Sequence, residues 1–460
     1  MKNRRSPTLL NPIALLPLLA LGVVAKPNVV ILFTDDQGTL DANCYGSKDL
    51  QTPNIDKLAE TGVRFTQAYA HTVCCPARAA LMTGRHPQRG GGNHWTQGDM
   101  NGAEGINMAL EELTLAEALK PAGYRTALFG KWHLGAHRDF GPKKQGFDEF
   151  FGIRDGFIDN YNHFFLHGNG FHDLYEGTTP VQANGKYFPE MMTKRCLQFI
   201  EENKGRPFFL YAPFNIPHYP EQAPKEFGEP FKNMKDPARK SYATIMKTTD
   251  HYIGLVIDKL EALELRENTI IIYSADNGYY AGNRGFAGKW SHYEESLRVP
   301  LVIYDPRAPK SRHGKLPENM TLNLDIPATI LDYAGVKIPE GYQGHSLVPL
   351  MRGESPKDWR TDTFCEHLMH HAEIPKWEGV RGPRYVYARY FEQTPVHEYL
   401  HDLKTDPDQL KNLAGNPKYA KPLAAARKRT DELRESYGGK FDLQRILDHL
   451  NRGKKKPKKK

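Results

Sequence analysis

Residues 28–38 read NVVILFTDDQG. Asn28–Thr34 is an unbroken apolar and β-branched run, the pattern of a parallel strand buried on both faces; a half-exposed strand would alternate. Two carboxylates, Asp35 and Asp36, follow where that strand would end. The same arrangement recurs three times. Arg125–Phe129 runs into Gly130-Lys131-Trp132-His133-Leu134-Gly135, Pro207–Ala212 into a loop carrying Pro217-His218, and Thr269–Ser274 into Asp276-Asn277-Gly278. Arg298–Tyr304 reads as a fifth strand. Helices are expected over Asn54–Gly62, from a Thr114 cap to Lys120, over Tyr242–Leu263 and over Asp325–Tyr333. This alternation predicts an α/β fold, with a mostly parallel sheet flanked by helices. Ligands of such sheets bind outside the carboxyl ends of the strands. Asp35, Asp36, Lys131, His133, His218, Asp276 and Asn277 are therefore expected on one edge, although they span more than half of the 460 residues.

Past about Gly353 the texture changes. Gly379–Phe391 and His397–Leu403 read as antiparallel strands and Lys418–Ser436 as a helix, which predicts a smaller C-terminal subdomain carrying an antiparallel sheet. The expected division is a main domain over 26–353, a subdomain over 354–450 and a basic disordered tail over 451–460. Residues 1–25 read as a signal peptide: Lys2, Arg4 and Arg5, an apolar run from Ile13 to Val24, then Ala25. That run is short for a membrane span, so the chain is expected to be exported to a periplasm or the exterior, with no membrane span. Setting aside the six C-terminal lysines and Lys2, Arg4 and Arg5 takes the formal charge from +8 to −1. A near-neutral body gives no reason to expect a nucleic-acid partner; the lysine tail is either a solvated end or a loose contact for a polyanion. Five cysteines suggest few disulfides, and their pairing cannot be read from spacing.

Asp35, Asp36, Asp276 and Asn277 offer four hard oxygen donors, a set suited to Ca²⁺ or Mg²⁺ and not to a soft metal. Taken singly, acidic pairs are more often caps, and Asp-Asn-Gly more often a turn. A further stretch changes the balance. Cys74-Cys75-Pro76-Ala77-Arg78-Ala79-Ala80-Leu81-Met82-Thr83-Gly84-Arg85 reads as a helix with Pro76 in its first turn and Gly84 as its stop. It places Cys74 just before a helix N-terminus, a position that favours an anion, with Arg78 a turn further on. The plain alternative is a helix start with two buried thiols.

This segment resembles the maturation signature of the type I sulfatases, Cys-x-Pro-x-Arg closed by Thr-Gly-Arg, in the alkaline phosphatase superfamily. The register selects Cys74, since Cys75 lacks Pro at +2 and Arg at +4. Gly130–Gly135 is similar to the family's second signature, and the resemblance extends over roughly Pro27 to Leu413. It implies an alkaline-phosphatase-like fold and a formylglycine-generating maturation enzyme that converts Cys74 to formylglycine. It also implies a divalent cation, usually calcium, that touches the sulfate and the formylglycine hydrate, which adds Cys74 to the metal set. Arg78, Lys131, His133, His218 and Lys289 fall at positions the family uses around the sulfate. The implied reaction is attack of one hydrate hydroxyl on sulfur. His218 or Lys289 serves the leaving oxygen, and His133 takes the proton of the second hydroxyl. One departure is Glu295-Ser296 where the family often has Gly-Gly. The expected function is an exported sulfatase acting on a sulfated carbohydrate or another sulfate ester. The alternatives are a phosphoester or phosphonate hydrolase of the same superfamily and a non-catalytic binder of sulfated glycan. Aromatic and histidine residues in Asp155–Tyr175, His94-Trp95 and His370-His371 fit a sugar pocket and core packing equally well.

Overall fold

The computed structural model describes residues 26–86, 107–167, 170–368 and 373–440. The expected signal peptide, His94-Trp95, His370-His371 and the lysine tail lie outside the described residues. At the centre is a nine-stranded sheet. Across it the strands run Val63–Phe65, Leu301–Tyr304, Thr269–Ala275, Asn28–Asp35, Phe208–Pro217, Arg125–Lys131, Glu149–Ile153, Tyr175–Glu176 and Thr179–Pro180. The five strands from Thr269–Ala275 to Glu149–Ile153 pair in parallel, and the outer ones are antiparallel. The fifth expected strand is thus the shorter Leu301–Tyr304, running against its neighbour.

The unbroken apolar run of the first strand has a direct cause. Val29, Ile31 and Phe33 enter one core, under helices Cys74–Thr83, Leu115–Leu119 and Asp325–Tyr333. Val30 and Leu32 enter the other, under helices Pro53–Thr61, Phe188–Glu202 and Pro237–Ala262. Truncating a side chain such as the fully buried Phe33 to alanine costs about 3–5 kcal/mol. Thr114 caps its helix as expected, with Glu117 completing the capping box.

The second sheet runs Thr363–His367, Trp377–Arg381, Tyr385–Tyr390 and His397–Asp402, all antiparallel. Phe364, Val380, Tyr387 and Leu400 sit opposite one another in register and pack on helix Ala420–Ser436. Cys365, Trp377 and Ala388 face the other way and join Tyr69, Ala80 and Leu297 of the main body. The small sheet therefore shares a core with the main body. All five cysteines are unbridged.

Candidate active site

Strand register brings the predicted residues together. Thr34 pairs with Ala275, so Asp35 and Asp276, the next residues on the two strands, emerge side by side. Lys131 ends the Arg125–Lys131 strand, and His218 follows the Phe208–Pro217 strand. Asp36 turns off with φ 63°, and its N–H donates to Asp276 Oδ1 at 3.2 Å. The glycine of Asp276-Asn277-Gly278 is required by close approach: a Cβ there would lie 1.9 Å from the Glu295 carbonyl oxygen. Helix Cys74–Thr83 is buried at every position and ends on Gly84 in the left-handed conformation, φ 63°. One detail differs from expectation. Extended Val73 is the N-cap, so Cys74 is the first helical residue and not the one before the helix.

Six charged groups meet here with almost no exposure, three anionic and three cationic. The Arg78 guanidinium donates to Asp276 Oδ2 at 2.7 and 3.0 Å and stands 3.6 Å from Asp35 Oδ2. Its third contact is the Lys131 carbonyl at 3.2 Å. Lys131 Nζ donates to Asp35 Oδ2 at 2.5 Å, and Lys289 Nζ pairs with Asp36 Oδ1. Asn277 Nδ2 donates to the same Asp36 oxygen at 2.7 Å. Burying ions is expensive, and mutual pairing only offsets that cost, so a cluster of this kind is a poor investment in stability. Burial pushes Asp36 up, but the charges of Lys289 and His218 outweigh it and hold it below the ordinary carboxylate range. Asp276 goes the other way, raised by burial and then by the Asp35 charge.

Two acceptors in the cluster have no protein partner, Asp35 Oδ1 and Asn277 Oδ1. Oxygen atoms of Asp35, Asp36 and Asp276 lie within 4.8 Å of one another, as do Asp35, Cys74 and His218 atoms. Orphaned buried oxygens beside converging carboxylates are what a hard divalent cation needs.

Cys74 Sγ lies 3.4 Å from Lys289 Nζ. Burial raises its thiol above the ordinary value despite Lys131 and Lys289, so the unmodified side chain rests as a thiol. His218 donates from Nδ1 to the Tyr219 carbonyl at 2.7 Å, which turns Nε2 toward Asp36 Oδ2 at 3.5 Å. Phe157 stacks on the His218 ring, with centroids 5.1 Å apart, so part of the Asp155–Tyr175 aromatic group packs at the site. His163 of that group is buried and bonds the Lys186 carbonyl. His133, at φ 56°, sets Nε2 3.1 Å from Cys75 Sγ, and its buried Nδ1 has no partner. Sequence reasoning set Cys75 aside in choosing the register. Its contact with His133 joins two motifs 58 residues apart, which spacing does not reveal.

The Lys289 loop is held from the small sheet, a second feature that sequence reasoning missed. Trp377 Nε1 donates to the Trp290 carbonyl at 2.7 Å. His401 Nδ1 bonds the Lys411 carbonyl and must donate, which leaves His401 Nε2 to accept from His292 Nε2 at 3.2 Å. Tyr390 then donates to His292 Nδ1 at 3.0 Å. Three residues past Lys289, the loop is tied down by a chain of hydrogen bonds with one consistent polarity.

The Sulfatase family model matches residues 27–336, two thirds of the sequence. The chain belongs to the sulfatase family. A second model, N-sulphoglucosamine sulphohydrolase C-terminal, matches residues 282–436 of this sulfatase. Among relatives, N-acetylglucosamine-6-O-sulfatase of Bacteroides thetaiotaomicron is 26% identical over 95% of the chain and 92% of its own length. Arylsulfatase A of Homo sapiens is 31% identical over 89% and 88%. The crystal structure of Ps i-CgsB in complex with k-i-k-neocarrahexaose superposes with a TM-score of 0.76 at 26% identity, covering 94% of this sulfatase and 98% of that chain.

Proposed function

We propose that this sulfatase releases sulfate from a sulfated carbohydrate at the strand-end cluster, with Cys74 as the residue that becomes the nucleophile. The observation that carries the reading is the meeting of Cys74, Lys289 and the two orphaned oxygens, Asp35 Oδ1 and Asn277 Oδ1, in one buried cluster. A divalent cation held by Asp35, Asp36, Asp276 and Asn277, with Ca²⁺ the favoured ion, supplies positive charge to sulfate oxygens, while formylglycine at Cys74 supplies a hydroxyl nucleophile in place of the thiol. The chain's own six ions are matched in sign, so a bound dication leaves the site with net charge +2, complementary to an oxyanion.

Lys131 and Lys289 keep their positive charge at the cluster and face the sulfate oxygens. Lys289, against the Cys74 side chain, is placed to stabilise the leaving oxygen. His218, with Nδ1 committed to the Tyr219 carbonyl, offers only Nε2 to that region. Arg78 acts through the carboxylates, fixing Asp276 and Asp35 in place. His133, steadied by Cys75, has Nδ1 free to accept a proton. The functional body is taken as 26–353 with the subdomain over 354–450, and residues 1–25 as an export signal. The carbohydrate reading is supported by N-acetylglucosamine-6-O-sulfatase and by the neocarrahexaose complex among the relatives.

The test is the mass of the peptide spanning Cys74 and Arg78, from protein produced with a formylglycine-generating enzyme, together with sulfate release from sulfated glycans. An aldehyde or hydrate at Cys74 is expected, with activity that disappears in Cys74→Ala. An intact thiol, in cells that convert a control sulfatase, overturns the reading.

A further inference from the structure

Two histidines meet where the small sheet touches the Lys289 loop. His292 lies three residues past Lys289, His401 sits on the His397–Asp402 strand, and each is 1% exposed. Their rings lie within 18° of parallel, with Nε2 facing Nε2 at 3.2 Å. That contact is a hydrogen bond only if one of the two nitrogens carries a proton and the other does not. The Lys411 carbonyl decides which. It takes the Nδ1–H of His401, so a neutral His401 has a bare Nε2 and His292 donates to it. The bond therefore closes with one proton on each ring. A further proton acts differently at the two ends. On His292 it enters at Nδ1, opposite Tyr390, whose hydroxyl can turn and accept. On His401 it enters at Nε2, where it sets two N–H groups against each other and breaks the bond.

The segment held by this bond is strained. Trp290 has φ 81°, outside the range that a bulky side chain adopts freely. Such a conformation persists only where its surroundings fix it from more than one side. On one side the Tyr280 N–H donates to the Gly288 carbonyl at 2.8 Å. On the other are Trp377, on the Trp290 carbonyl, and the His292–His401 bond. Lys289 lies between these anchors, with its Nζ at Asp36 and Cys74. We infer that His292 is a positioning residue for Lys289, and that it holds the loop only while His401 is neutral. The inference rests on the sulfatase reading for what Lys289 does. Burial, then the charges of His401, Arg284 and His397, keeps a proton off His292. Burial also holds His401 below the ordinary 6.5, helped by Arg284, although the Lys411 carbonyl and Asp406 favour its charge. Tyr293 and Tyr399 pack against both rings, and Tyr390 against His292. The loop is therefore fixed at neutral pH and is released as acid protonates His401.

The test compares pH profiles of kcat/KM for full-length, matured, calcium-loaded protein, with nitrocatechol sulfate as substrate. His292→Phe keeps a ring but deletes the bond, and is expected to cost about fivefold at about pH 8. That gap should close as pH falls, because the wild type then loses the same bond. His401→Gln offers Oε1 as an acceptor that takes no proton, so its acid limb is expected at lower pH than the wild type's. Nitrogen-15 NMR of histidine-labelled wild type reads the pair without turnover, with the proton expected on Nδ1 of His401 and on Nε2 of His292. The inference is overturned if the His292→Phe loss is the same at every pH, as a merely structural role requires. It is also overturned if the His401→Gln profile superposes on the wild type's, or if the NMR tautomers are reversed. The expected tautomers in a matured protein that releases no sulfate from this ester or from sulfated glycans would sink the proposed function and leave the acid-sensitive tie on the loop standing.

Discussion

The strand-end cluster and a cavity of about 410 Å³ walled by Phe286, Trp290, Tyr390 and Tyr399 share one side chain, Lys289, and are otherwise built on opposite principles. The cluster is made of fully buried ions fixed by the ends of parallel strands and by the Cys74–Thr83 helix. The cavity is made of partly exposed rings drawn from one loop of the main body and from the small sheet. The charges of the cluster rest on the ends of strands and on a buried helix, while the cavity rests on a loop steadied from a second sheet. The difference predicts that damage to the cluster removes the chemistry, while loosening the loop slows turnover and leaves the cation site intact.

The largest expected effect is on the shared side chain. Lys289→Ala removes the cation beside Cys74 and should lower kcat/KM about 10²–10³-fold for every sulfate ester, in steady-state assays. A loss restricted to large substrates would assign Lys289 to holding the substrate and not to the reacting sulfate. Next is the cation. EGTA is expected to abolish activity and lower Tm, and calcium to restore both, because a ligand bound only by the folded form stabilises it. An unchanged Tm would mean that the three internal cations alone satisfy the carboxylates. Third, Trp377→Phe deletes the N–H that holds the Trp290 carbonyl. It should cost about fivefold in kcat/KM for a sulfated oligosaccharide, from about 1 kcal/mol of lost positioning, with the calcium-dependent rise in Tm intact.

The smallest effect is on stability beneath the site. Burial, then the Asp155 charge, raises Asp173 from an ordinary 3.8 to about 7, and burial raises Asp155 to about 6. The folded state therefore holds protons that the unfolded chain has released, and stability falls as pH rises from about 4 to about 7. Asp173→Asn removes that penalty and should raise Tm by about 2 °C or more at pH 8, with little change at pH 4, by thermal denaturation. An equal gain at both pH values would assign the effect to packing.

The ends of the four strands were legible because each apolar run stops abruptly at polar residues, as at Thr34-Asp35 and Ser274-Ala275-Asp276. Thr114 and Gly84 were legible because caps are local. The Glu149–Ile153 strand was not, being five residues long with Gly152 inside it and an acidic start. Helix Phe188–Glu202 went unnoticed because Tyr187 provides no side-chain cap. In the site, chemistry was readable from residue type at each strand end, but contacts between distant segments were not. Cys75 against His133, and Trp377 against Trp290, are set by packing between elements 58 and 87 residues apart. The cavity escaped for the same reason: its rings belong to a loop of the main body and to the small sheet.

Cys74 is 1% exposed, the first residue of a helix whose ten positions are all buried. A maturation enzyme must take hold of the Cys74 segment itself, and a helix buried at every position does not present it. Under the proposed function, conversion of Cys74 is therefore an event in the life of the nascent chain, before strands and helix meet. On that reading the fold acts as a one-way door: a molecule that closes unconverted stays so, and the proportion of working enzyme is set by a race during synthesis.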